Sequence, residues 1–133
     1  MACYFRAWGT DFDVDAFVKA SSFGAEDIWR AGEARSSRWP RAPTHHDNSG
    51  FAVPIEKSDE LEVQVNAAIS FLKRRRGAIE HLVKASGIEH IVLDFGLTWD
   101  PDSAAQFAGF PPVLLALAGN LNCWIEVSHY DLG

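Results

Sequence analysis

Residues 88–99, IEHIVLDFGLTW, are the stretch that decides the fold. Ile91, Leu93, Phe95, Leu97 and Trp99 fall on one face of an alternating pattern. His90, Asp94 and Thr98 fall on the other, with Val92 and Gly96 between them. Period-2 alternation of this length predicts a half-buried β-strand with one dry and one wetter face.

Upstream, Ser58-Asp59-Glu60 opens a long helix with a capping residue and early acids. Leu61, Val65, Ala68, Leu72, Ile79, Leu82 and Val83 keep its apolar stripe. Arg75 and Arg76 fall where that stripe wants apolar residues, so a break or kink is expected there, with Gly77 permitting the turn. Downstream come a turn at DPDS and a short helical piece over 103–108. A helix then starts at Pro111-Pro112, where a missing N–H costs least, and stops at Gly119-Asn120. The last strand runs over 123–130.

At the other end, residues 2–9 alternate as a strand with Cys3, Phe5 and Ala7 on one face and Tyr4, Arg6 and Trp8 on the other. Asp13 caps a helix whose stripe is Val14, Phe17 and Val18, and Gly24 closes it. Residues 27–31 form a short strand. Residues 32–50 show no periodicity and read as a long loop, given a local positive character by Arg30, Arg35, Arg38 and Arg41. Phe51, Val53 and Ile55 alternate as a strand, in which Pro54 demands an edge or a bulge. The order βαββαβ followed by αβ predicts a single α+β domain over 1–133. Its expected form is a ferredoxin-like core with an added C-terminal αβ unit, a mainly antiparallel sheet and helices on one face.

The strand ending at Gly9, Asp11-Phe12-Asp13 opening a helix, and Gly32-Glu33 with Trp39 after a short strand resemble domain-of-unknown-function family 4279. The long helix, the strand at 88–99 and the terminal αβ unit stand in the expected order, so the resemblance covers nearly the whole chain. It implies a small cytosolic bacterial α+β domain with no established activity, and it transfers no catalytic residue.

Composition narrows the function classes. Net charge is −6, and residues 85–133 hold six acids with no Lys or Arg, so the whole excess lies in the last third. An acidic domain repels phosphate, which argues against nucleic-acid binding. No apolar run reaches membrane-spanning length, and Met1 leads into CYFRAW with no apolar leader, so no membrane association is expected and the cytoplasm is the default location. Cys3 and Cys123 form no C-x-x-C pair and read as reduced core thiols.

Chemistry-bearing strings are few. His45-His46-Asp47 is the most metal-like, yet adjacent residues rarely share one ion, and further ligands would have to come from His129, His81 or Asp94. Asp11, Asp13 and Asp15 start like a calcium loop but lack the glycine and glutamate that such a loop needs. KRRR at 73–76 reads as a solvated helix end. No metal, cofactor or catalytic residue is assigned, and an enzyme is the less favoured reading. His90 and Asp94 are too far apart along one strand to pair directly, so each needs a partner from another strand, Glu126 or Tyr130 if the last strand lies alongside.

With helices on one sheet face, the other face collects Tyr4, Arg6, Trp8, His90, Asp94, Trp124, Glu126 and Tyr130, a mixture of aromatics and charges typical of protein-binding patches. The leading expectation is a small interaction module, in one form an inhibitor or immunity-type protein that masks a basic partner. The alternative is a small-molecule binder or enzyme using the cleft under the 32–50 loop, with Arg35, Arg38, Trp39, His45 and His46 as candidates. A homodimer through sheet edges or the aromatic face is a third reading.

Overall fold

The computed structural model describes residues 1–35 and 44–131. Among them the chain forms five strands and four helices: β1 (Ala2–Gly9), α1 (Val14–Ser21), β2 (Asp27–Trp29), β3 (Ser49–Lys57), α2 (Leu61–Arg74), α3 (Arg76–Val83), β4 (His90–Thr98), α4 (Pro112–Asn120) and β5 (Trp124–Tyr130). The strands make one open sheet in the order β2-β3-β1-β4-β5. The β2–β3, β3–β1 and β1–β4 pairs are antiparallel and β4–β5 is parallel, so this α+β sheet is mixed but mostly antiparallel.

Alternation explains the central strands. Cys3, Phe5 and Ala7 of β1 are fully buried beneath the helices, as are Leu93 and Phe95 opposite them on β4. Phe5 lies at the centre of an aromatic core, with ring centroids 5.6 Å from Phe23, 6.3 Å from Phe51 and 5.2 Å from Phe71. Each fully buried phenylalanine contributes on the order of 2–3 kcal/mol of transfer free energy. Trp99 departs from the alternation. It lies beyond the end of β4, is 39% exposed, and meets the edge of His129 at 6.0 Å.

The bulge expected at Pro54 is present. The β1–β3 register shifts between Cys3, opposite Glu56, and Tyr4, opposite Pro54. The helix break expected near Arg75 is present too, with α2 ending at Arg74 and α3 starting at Arg76. Arg75 turns inward rather than to water: its guanidinium lies 4.5 Å from the Phe23 ring centroid and donates to the Ser21 carbonyl at 3.1 Å.

Three expectations are corrected. Residues 103–108 are not helical. The Asp100 carboxylate accepts from the Asp102 amide and the Ser103 hydroxyl, and the Gln106 side chain bonds the Asp100 amide and the Thr98 carbonyl, so side chains take the place of helical bonds. Helix α1 ends at Ser21 with Ser22 in the left-handed region, before Gly24 is reached. The described ends of the 32–50 segment are not irregular: Ala34 bridges His45, the Gly32 amide donates to the His46 carbonyl, and the Arg35 amide donates to the Thr44 carbonyl, making an antiparallel ribbon. No helix among the described residues is long and apolar enough to cross a membrane.

Candidate functional site

The helix-free face of the sheet is built by register. Tyr4 stands opposite Asp94, Arg6 opposite Val92, and Trp8 opposite His90 across the β1–β4 pair. On the far side of β4, Trp124 stands beside Val92, Glu126 beside Asp94, Ser128 beside Gly96 and Tyr130 beside Thr98. All eight residues expected on this face are therefore brought together on it.

His90 lies between two indoles. Its ring centroid is 5.1 Å from that of Trp8, nearly parallel at 27°, and 6.2 Å from that of Trp124, at 67°. Arg6 holds the charged centre of the face. Its Nη2 is 3.0 Å from Glu126 Oε1 and 3.3 Å from Asp94 Oδ2, and its guanidinium carbon is 5.6 Å from the Trp8 ring centroid. The Ser128 hydroxyl donates to Asp94 Oδ1 at 2.8 Å. Asp94 and His90 do not touch each other; each takes its partners from β1 and β5. Burial raises the Asp94 pKa, opposed by the Ser128 hydrogen bond and the Arg6 charge. One guanidinium thus faces two carboxylates, and the balance is negative. The Arg6 Nε is buried with no acceptor among the described residues.

Exposure divides the face. Val92, in register between Arg6 and Trp124, is only 3% exposed, whereas Trp124 is 65% and Tyr130 46% exposed. The outer, β5 side is therefore the open part.

On the β2 side the face continues into residues the sequence reading passed over. Trp29 pairs with Gly50, which in turn pairs with Trp8. A Cβ on Gly50 would come within 2.5 Å of Trp29 Cζ2 and 2.6 Å of Trp8 Cβ, so glycine is what lets the two indoles close over this point. The Trp29 Nε1 donates to Asn48 Oδ1 at 2.7 Å, and His46 stacks on Trp29 at 6.1 Å. Arg6, Trp8, Trp29, Arg35, His46, Asp47 and Asn48 together line a cleft of about 350 Å³. A signal for Trp29 existed in the sequence, namely Gly50 heading the alternating run at 51–55, but it needed the β2–β3 register to be read.

The remaining candidates are scattered. Arg38 and Trp39 lie outside the described residues. His45 is held by the Thr44 hydroxyl at 2.9 Å, away from the Trp29–His46 stack. No three His, Cys, Asp or Glu side chains converge as a metal site among the described residues. Asp13 caps α1, and Asp15 forms a two-pronged pair with Arg30 at 2.6 and 2.8 Å, so two of the three acids that resembled a calcium loop are engaged in helix and ion-pair roles. The Cys3 and Cys123 thiols are buried, which pushes both pKa values up, that of Cys123 to about 12, and leaves them as apolar core groups.

The chain belongs to the family described as Domain of unknown function (DUF4279), whose model matches residues 1–132. No curated protein and no solved structure matches it.

Proposed function

We propose that the chain is an interaction module that binds a basic protein partner through the open, β5 side of its sheet face. The observation that carries this reading is the exposure of Trp124 and Tyr130 beside the Arg6–Asp94–Glu126 cluster. Exposed aromatic rings with a hydrogen-bonding tip are the commonest anchors of protein interfaces. Excess negative charge beside them suits an incoming arginine or lysine, which would lie over the Trp124 ring and reach the Glu126 carboxylate. An inhibitor or immunity-type protein that masks a basic site is one concrete form of this activity. Charge-steered association of this kind slows as salt is added.

A photo-crosslinking residue placed at 124 tests the reading in cells. The expected result is one adduct of defined mass, absent when the same residue replaces Glu80 on α3. Equal labelling from both positions, or none from 124, would sink it.

The cleft beside His46 supports a second reading, a small-molecule site. The Arg35 guanidinium and the Trp8 and Trp29 indoles suit a planar anionic ligand. Thermal-shift screening with aromatic carboxylates and phosphates discriminates: stabilisation that disappears in Arg35→Ala favours the cleft.

A further inference from the structure

At the opposite end of β1 from Trp8, the helix-free face holds a second cleft, of about 340 Å³, whose lining includes Ala2, Tyr4, Lys57, Asp94, Gly96 and Tyr130. Register explains its shape. Ala2 stands opposite Lys57 of β3, and Tyr4 opposite Asp94 of β4. Tyr130 stands beside Thr98, on the outer side of β4. Ala2 and Gly96 form the floor and carry almost no side chain. A Cβ on Gly96 would lie 2.9 Å from the Ala2 carbonyl oxygen and 3.5 Å from Tyr130 Cε2, so glycine permits the close strand contact and keeps the space above it clear. From below, the buried Gln64 amide holds the Gly96 carbonyl at 2.9 Å. The cleft is thus preformed, at the lower end of the roughly 300–1,000 Å³ range of small-molecule sites.

Its polar groups are not used up by the fold. Asp94 Oδ1 accepts from Ser128, and Oδ2 lies 3.3 Å from Arg6 Nη2, which leaves each oxygen a further lone pair. Arg6 is shared with Glu126, so this group of side chains is one positive charge short of balance. At the other end the Lys57 ammonium forms no ion pair among the described residues. The Tyr4 and Tyr130 hydroxyls have no hydrogen-bond partner among them either.

Charge at both ends selects the ligand. Asp94 and Lys57 lie on β4 and β3 with β1 between them, and strand spacings put their Cα atoms roughly 12 Å apart. Two side chains reaching inward leave a gap that a short aliphatic chain spans. A lone cation satisfies Asp94 but is repelled by Lys57, and a lone anion does the reverse. A molecule with an ammonium at one end and a carboxylate at the other satisfies both, its cation beside the tyrosine rings and its methylenes over Gly96.

We propose that this cleft binds a small zwitterion of the ω-amino acid kind, with its ammonium on Asp94 and its carboxylate on Lys57. Such a ligand needs no protein partner to hold it.

Calorimetric titration of the whole chain with ω-aminopentanoate, pentylamine and pentanoate tests this, with amide NMR shifts locating the site. The expected result is saturable binding of ω-aminopentanoate at about 1 mM or tighter, with pentylamine and pentanoate each roughly tenfold weaker or more. The shifts centre on Gly96 and Tyr4 rather than on Gly50 and Trp29. Lys57→Gln raises the ω-aminopentanoate dissociation constant roughly tenfold and leaves pentylamine no weaker. Asp94→Asn weakens both amines, and Glu80→Gln changes neither. Lys57 is exposed, so its variant folds whatever Asp94→Asn does. No saturable binding of ω-aminopentanoate overturns the inference. So does pentylamine binding as tightly, which leaves Asp94 as a contact for a partner's basic side chain, and so do shifts centred on Gly50.

Discussion

Trp8 and His90 face each other across the β1–β4 pair with ring centroids 5.1 Å apart and planes 27° from parallel. The contact joins the central strand β1 to β4, which carries His90 and Asp94 of the open face. Arg6 approaches the same indole at 5.6 Å, so Trp8 links the aromatic and the charged halves of the site. A double-mutant cycle on Trp8→Ala and His90→Ala should return a coupling of about 0.5–1.5 kcal/mol in chemical denaturation. A coupling near zero would mean that the rings are neighbours without interacting.

Asp94 gives a pH signature. Its pKa is raised in the folded state, chiefly by burial, so the native chain holds this proton more tightly than the unfolded one. Stability contributed by Asp94 is therefore greatest below its ordinary value of 3.8 and falls as pH rises through the window up to the raised pKa. Asp94→Asn removes that penalty and keeps a partner for Ser128. The stability difference, Asn minus Asp, should grow in favour of Asn between acid and neutral pH, measured by urea melts at several pH values. A difference that shrinks as pH rises would show that pairing with Arg6 outweighs burial.

Gln64 is fully buried, and its amide nitrogen donates to the Ser58 carbonyl at 2.7 Å and the Gly96 carbonyl at 2.9 Å. It ties the start of α2 to β4. Gln64→Leu strands both carbonyls and should cost about 1–3 kcal/mol, and Gln64→Glu more, because a carboxylate cannot donate to either. Equilibrium unfolding checks both, and a neutral Gln64→Leu would show that water replaces the amide.

Two glycine substitutions should have opposite signs. Gly50→Ala drives a methyl into Trp29 and Trp8 and should cost about 1–3 kcal/mol or more. Gly77→Ala, near the start of α3 with nothing within 4 Å of the new Cβ, should stabilise by about 0.5–1 kcal/mol. Melting curves of the two variants separate close packing from local helix preference.

Much of this was legible in the residues because alternation is a local property. The span of β1, the core face of β4 and the β1 and β4 members of the open face follow from Cys3-Phe5-Ala7 and Ile91-Leu93-Phe95, and the β5 members from the alternation of Cys123, Ile125 and Val127 with Trp124, Glu126 and Tyr130. The break at Arg75 followed from a misplaced charge in an apolar stripe. Non-local pairing was not legible. The Trp29–Gly50–Trp8 row depends on two registers, and the Ala34–His45 bridge joins segments with no pattern of their own. The helix expected at 103–108 gave way to side-chain bonds from Asp100 and Gln106 that composition does not reveal.

The parallel pairing of β4 with β5 has a kinetic consequence. An antiparallel partner can zip up through a tight turn, but a parallel one must wait for its crossover to form, here the whole of residues 99–123 with α4 inside it. Strand β5, at the sheet edge, is therefore expected to dock last in folding and to detach first in native fluctuations, with its amides exchanging hydrogen faster than those of β1. Trp124, Glu126 and Tyr130 travel with it. The aromatic and charged sheet face is then complete only when the final strand seats, so a chain that has not finished folding lacks its β5 side.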